Sequence, residues 1–190
     1  MWVPDNDVPP SINTDDEELQ PTLSADGLTM VFVRGTPAQN TELWVAERGR
    51  GGRGWDAPVP FAEVNTPADE LGPTFSPDGE RLFFHSNRGG GHGGYDLWVC
   101  ERTDDGWSEA VNLGPRINSS ANETDAAVAP DGRTLWFATN RPDEDETPDE
   151  NAAPVAETDA PDYDLFVSLL GDNGWEDARP VETVSYTHLR

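Results

Sequence analysis

The stretch that decides the fold runs Ser76-Pro77-Asp78-Gly79, Arg81-Leu82-Phe83-Phe84, Ser86-Asn87-Arg88-Gly89-Gly90, Gly93-Gly94-Tyr95-Asp96-Leu97-Trp98-Val99, and then Asp105-Gly106-Trp107. Residues 71–76 form a short extended run that ends at Asp78-Gly79, a dipeptide suited to a tight reversal because glycine accepts positive φ. Residues 81–86 follow, and their consecutive apolar side chains suit a strand covered on both faces. Glycine density at 89–94 marks a loop, 95–102 a third strand, and 107–113 a fourth after the turn at Gly106. The unit is therefore expected to be one four-stranded antiparallel sheet.

The same pattern occurs three times, 52 and then 53 residues apart. Asp78-Gly79 has counterparts in Asp26-Gly27 and Asp131-Gly132. Asparagines stand thirteen residues before each turn (Asn13, Asn65, Asn118), and phenylalanines five after each glycine (Phe32, Phe84, Phe137). Glu42-Leu43-Trp44-Val45, Asp96-Leu97-Trp98-Val99 and Asp164-Leu165-Phe166-Val167 are equivalent, and each unit closes on a Gly-Trp pair at Trp55, Trp107 or Trp175. A fixed period near 50 residues signals units that bury their apolar faces only by stacking on neighbours. No segment shows a sustained 3.6-residue period. The fold class read from these features is all-β, a β-propeller fragment of about three four-stranded blades plus one extra strand.

The string in unit two resembles the WD-repeat-like propeller repeats of the TolB type, and the resemblance runs over residues 2–184. Unit three keeps Asp131-Gly132, Asn140-Arg141 and Asp164, while unit one has Ala25 in place of the proline and Gly35-Thr36 in place of Asn-Arg. The resemblance implies a binding or scaffold module of the bacterial envelope, periplasm or cell exterior, and it implies no catalytic residues. It also marks Asp78, Gly79, Asn87, Arg88, Asp96, Trp98, Trp107, Asp131, Gly132, Asn140, Arg141 and Asp164 as structural motif positions.

The repeat divides the chain into blade one (13–64), blade two (65–117) and blade three (118–184). Residues 2–12 align with the end of a unit and read as the last strand of a preceding blade. Ser185-Tyr186-Thr187-His188-Leu189-Arg190 match no repeat position and read as a non-native tail. Since a propeller closes with typically 4–8 blades, the expected partners include further blades of a longer chain or a second copy. Unit three also carries a 15-residue insertion, within an acidic segment at 142–162. Asp143 and Asp145 alternate as at the start of an EF-hand loop, but Thr147 and Pro148 break that pattern, so a solvated loop is expected there.

With 37 acidic residues, 12 basic ones and a net charge of −25, the chain repels nucleic acid and anionic lipid, and neither is expected as a partner. No apolar run approaches the ~20 residues of a membrane helix. Cys100 is the single cysteine and reads as a small buried hydrophobe. No Gly-x-Ser-x-Gly elbow occurs, and His85, His92 and His188 lack metal-ligand spacing, so neither a catalytic centre, a metal nor a cofactor is expected. The competing reading is a propeller domain of a hydrolase, prolyl-oligopeptidase-like or glycosidase, with its catalytic residues outside this chain. One repeated polar position is singled out, Glu18, Glu70 and Glu123. If the first strand of each blade lines a channel, these carboxylates would ring its mouth and attract cations or cationic peptides. The structural alternative pairs them with Arg88 and Arg141 or caps backbone amides. Repetition favours that alternative, because a feature needed in every blade is usually architectural.

Overall fold

The computed structural model describes residues 12–49, 54–142 and 162–181. The strand expected at 2–12, except for Ile12, lies outside the described residues, as do positions 143–161 of the acidic segment and the tail at 185–190. Every regular element among the described residues is a strand. Sheet one comprises β1 (Glu18–Leu23), β2 (Thr29–Arg34), β3 (Glu42–Glu47) and β4 (Val59–Pro60) in sequential order. Sheet two comprises β5 (Glu70–Phe75), β6 (Arg81–Ser86), β7 (Asp96–Thr103), β8 (Gly106–Trp107) and β9 (Val111–Asn112). Sheet three comprises β10 (Glu123–Val128), β11 (Thr134–Thr139), β12 (Asp164–Gly171), β13 (Gly174–Trp175) and β14 (Arg179–Pro180). All pairings are antiparallel, so the protein is all-β with the meandering blades of a propeller.

The continuous fourth strand expected at 107–113 is instead two short pieces, β8 and β9, both on β7. Arg102 faces Trp107, whereas Val99 faces Val111, so residues 108–110 stand opposite only Cys100 and Glu101. The extra residue makes a bulge. Ser108 holds it, donating its N–H to Glu101 O at 2.8 Å and accepting the Glu101 N–H on its hydroxyl at 3.0 Å. The same one-residue slip separates β13 from β14 along β12.

A second bulge recurs in every first strand, between Leu19 and Thr22, Leu71 and Thr74, and Thr124 and Ala127. It places Gln20, Gly72 and Asp125 at φ of 49°, 58° and 51°. Pro21 and Pro73 follow two of these residues, at a point where the interrupted ladder loses little from a missing N–H.

Two cores hold the three sheets together. Leu82 and Phe84 of β6 point toward Val31, Val33 and Leu43 of sheet one. The intervening Phe83 points the other way, toward Leu135, Phe137 and Phe166 of sheet three. All three β6 side chains are fully buried, each contributing about 1.5–3 kcal/mol of apolar transfer. Trp107 fills the first interface, its ring 5.9 Å from Phe61 and 6.0 Å from Phe75. Trp175 takes the equivalent place in the second, 6.2 Å edge-on from Phe83. The repeated asparagines tie each sheet to the one before it. Asn65 accepts the Leu43 N–H and donates to Leu43 O, both at 2.9 Å, and Asn118 does the same for Leu97 at 2.8 and 3.0 Å. Cys100 is buried in the first core, which pushes its thiol up to about 12.

Candidate functional site

The three repeated glutamates are engaged inside the protein. The Glu70 carboxylate is fully buried and receives Arg88 at 2.9 Å, the Thr66 hydroxyl at 2.6 Å and the Thr66 N–H at 3.1 Å. Glu123, also fully buried, receives Arg141 at 3.1 Å, the Ser119 hydroxyl at 2.6 Å and the Thr139 hydroxyl at 2.8 Å. Glu18 receives Arg34 at 3.0 Å and the Thr14 hydroxyl at 2.7 Å. In each unit the arginine also donates to the carbonyl of the residue before the repeated asparagine: Ile12, Val64 or Ile117. Each carboxylate is thus paired with an arginine and hydrogen-bonded within its own blade. The environments still differ. Burial dominates at Glu70 and holds its carboxyl above the ordinary value, against the pull of Thr66, Arg88 and Ser86. Burial also pushes Glu18 upward, but hydrogen bonds from Thr14 and Arg34 outweigh it and leave that group below its ordinary value.

Two parts of this arrangement went unseen in the sequence. A hydroxyl residue follows each repeated asparagine (Thr14, Thr66, Ser119), a signal that was present in the repeat alignment. Unit one lacks the Asn-Arg pair, yet Arg34 reaches the same carboxylate from two positions earlier. Its guanidinium covers Trp44 at 4.1 Å much as Arg88 covers Trp98 at 5.2 Å. Position-by-position alignment cannot find such a replacement, since the guanidinium is conserved in space and the backbone position is not.

The remaining motif residues also serve local structure. Asp78 and Asp131 accept backbone N–H groups within their turns, from Glu80 at 3.1 Å and Arg133 at 2.8 Å. Asn87 and Asn140 accept the N–H of Asp69 and Asn122 at 2.9 and 2.8 Å. Asp96 accepts the Gly93 N–H at 3.1 Å and Asn112 at 2.8 Å, folding the glycine loop back onto its own blade. That loop lies hard against blade three, where a side chain on Gly93 would collide with the Ala121 carbonyl. Asp164, the counterpart of Asp96, is exposed. Trp98 is buried and its indole N–H has no hydrogen-bond partner among the described residues.

The polar groups that differ from blade to blade cluster where β1, β5 and β10 lie side by side. The Gly72 N–H donates to Gln20 Oε1 at 2.9 Å, so one bulge bonds the next. The Asp125 N–H donates to His85 Nδ1 at 3.3 Å, linking sheets two and three. His85 lies against Gly72, where an added Cβ would stand 2.6 Å from Nδ1, and its ring meets Tyr95 edge-on at 5.6 Å. Only glycine fits that bulge. The side chains of Gln20 and Asp125 reach the exposed surface beside these buried groups.

His85 is 5% exposed, and burial lowers its pKa to about 4 although the Asp125 carboxylate pulls the other way. It is thus neutral at pH 7, with Nδ1 as acceptor. In the unfolded chain it takes up a proton near its ordinary 6.5, and in the folded protein only near 4. Its contribution to stability is therefore full above pH 6.5, declines as the pH falls from 6.5 to 4, and is absent below. Urea unfolding at pH 7 and pH 4.5 is expected to show the native chain losing about 2 kcal/mol more than His85→Phe over that interval. Equal losses would mean that His85 titrates normally in the folded state.

No family model and no curated protein matches the chain. Solved structures do. TolB from Acinetobacter baumannii is similar over 88% of this chain, with 13% identity and a TM-score of 0.53. A protein described as TolB from Agrobacterium tumefaciens is similar over 88% of the chain, with 20% identity and a TM-score of 0.52. A tricorn protease is similar over 88%, with 10% identity and a TM-score of 0.50. At these identities the likeness establishes the fold. The chain spans 33% of the length of the first of these proteins, 49% of the second and 17% of the third.

Proposed function

We propose that the chain is a non-catalytic propeller module that recognises a protein or glycan ligand at the bacterial cell envelope. The face formed by β1, β5 and β10 is its recognition surface. The observation that carries this reading is a division of labour among polar groups. Those that repeat are paired internally, while Gln20 and Asp125, which differ between blades, stand exposed on the first strands β1 and β10 on either side of β5, beside the buried His85 of β6. A binding site has to break the symmetry of its scaffold, and this is where the symmetry breaks.

The non-catalytic part of the proposal draws on the contact at His85. The ring accepts a backbone N–H on Nδ1, whereas in a hydrolytic triad that nitrogen donates to the orienting carboxylate. The envelope setting draws on the resemblance of the repeat to TolB-type sequences and on the strongly acidic composition.

The test immobilises the chain and screens it against purified peptidoglycan fragments and a panel of purified periplasmic proteins. At least one probe is expected to bind, with affinity reduced about tenfold by a Gln20→Ala, Asp125→Ala double variant, as for loss of a central contact. Binding that ignores this double variant would remove the first-strand face from consideration. Absence of binding to every probe would defeat the recognition reading.

A further inference from the structure

A groove of about 470 Å³ opens between sheets two and three. None of its walls comes from β1, β5 or β10, so it is separate from the first-strand face. Val99, Leu113, Leu170 and Trp175 give it an apolar wall, and Arg81 and Arg116 bring two guanidinium groups to it. A volume of this size suits a small molecule, whose sites span about 300–1,000 Å³. Two cations thus meet in one groove of a chain whose net charge is −25.

The repeat shows that this charge is particular to one junction. Arg81 and Thr29 are equivalent, since they stand opposite Glu101 and Glu47 in register. Arg116 and Glu63 each lie two residues before a repeated asparagine, and Asn173 and Asp105 each precede a Gly-Trp pair. Leu170 and Arg102 face Trp175 and Trp107. The groove between sheets two and three therefore has two arginines and one acid, Glu101, on its walls. The equivalent positions between sheets one and two hold three acids and one arginine. Packing of two blades does not require Arg81 and Arg116, because the neighbouring junction is built without them.

Neither guanidinium is consumed by the fold. Arg81 forms no ion pair among the described residues, although Glu101 stands opposite it. Its Nη2 donates to Gly132 O at 2.9 Å and its Cζ lies 5.6 Å from the Phe83 ring, which turns the group toward blade three. Its charge is felt at Asp78, but that carboxylate already accepts the Ser76 hydroxyl and the Glu80 N–H. Arg116 donates to Trp175 O at 3.1 Å and keeps only a loose, exposed contact of 3.8 Å with Asp177. We propose that this groove binds a small organic acid, its carboxylate drawn to Arg81 and Arg116 and its apolar body against Trp175 and Leu113. A guanidinium presents paired N–H donors that match a carboxylate, and apolar walls strengthen the attraction by excluding water.

The probes are phenylacetate, its uncharged counterpart phenylacetamide, and acetate, each titrated into the nitrogen-15-labelled chain and followed by NMR. Phenylacetate at millimolar concentration should shift the Trp175 indole N–H saturably, while Trp107, its equivalent in the neighbouring junction, stays fixed. The amide is expected to bind about tenfold more weakly, the difference between a charged and a neutral hydrogen bond. Acetate, which has the charge and no ring, should also bind more weakly than phenylacetate. Arg116→Glu and Arg81→Thr install the residues of the neighbouring junction, and each should weaken phenylacetate binding about tenfold. Circular dichroism melts check that both variants fold, and Arg116→Glu, at an exposed site, carries the test should Arg81→Thr unfold. Failure of phenylacetate to shift Trp175 saturably, equal shifts at Trp107, equal affinity for the amide or for acetate, or folded variants that bind as tightly as the native chain would each overturn the proposal.

Discussion

Arg88→Ala is expected to destabilise the protein by about 3–5 kcal/mol, because it strands a buried carboxylate. Glu70 has no solvent contact, and Arg88 is its only cationic partner among the described residues. The same guanidinium also donates to Val64 O at 2.8 Å and lies over Phe84 and Trp98 at 4.8 and 5.2 Å. The loss would be a large part of a total stability of roughly 5–15 kcal/mol. Arg116→Ala provides the contrast. Its ion pair with Asp177 is 3.8 Å long, with side chains 56% and 89% exposed, and a screened surface pair of this kind is worth about 0–1 kcal/mol. The Arg88 deficit also has a pH signature. The Glu70 carboxyl, already held above its ordinary value, moves further up without the cation, so protonation relieves the variant. The deficit should shrink as the pH falls toward 4.5, the ordinary glutamate value. Urea unfolding at several pH values gives both results, and equal small losses for the two arginine variants would show that the buried pair contributes little.

Trp107→Ala is expected to cost about 3 kcal/mol at an independent site, the low end of the range for truncating a buried aromatic, because Trp107 is partly buried against the first core. The indole joins two sheets, meeting Phe61 from the linker after sheet one and Phe75 from β5. Trp55→Ala should cost much less, since Trp55 belongs to neither inter-sheet core and its ring is covered by Arg48 at 4.5 Å. Thermal melts of the two variants compare them directly. Equal shifts would mean that the closing tryptophan of each repeat acts within its own blade and does not join blades.

Much of this architecture was legible in the sequence because it repeats. The Asp-Gly turns, the strand bounds around Phe32, Phe84 and Phe137, and the two-sided burial of Leu82-Phe83-Phe84 all follow from local propensity and period. What escaped the sequence depends on three-dimensional register. The first-strand bulge is invisible because Gln20, Gly72 and Asp125 share a conformation and no side-chain chemistry. The break in the fourth strand turns on a single extra residue opposite Cys100 and Glu101, which periodicity at that scale does not resolve. Arg34 replaces Arg88 from another backbone position, so only the fold shows that the two are equivalent. The glutamates illustrate the converse. Their repetition was plain, but burial decides whether a repeated carboxylate is a ligand or a strut, and burial belongs to the packed sheets.

The central claim is that repeated polar residues hold the blades together while ligand recognition falls to groups that differ between blades. The most direct measurement is a carbon-13 titration of the glutamate side-chain carboxyls and the first-strand amides, with calcium chloride and then a lysine-rich peptide as probes. The carboxyl signals of Glu70 and Glu123 should stay fixed throughout, since both groups are buried and held by arginine. Any shifts caused by bound peptide should appear at Gln20, Gly72 and Asp125. Saturable shifts of the Glu70 and Glu123 carboxyls with either probe would contradict the account and restore the glutamates as a binding ring.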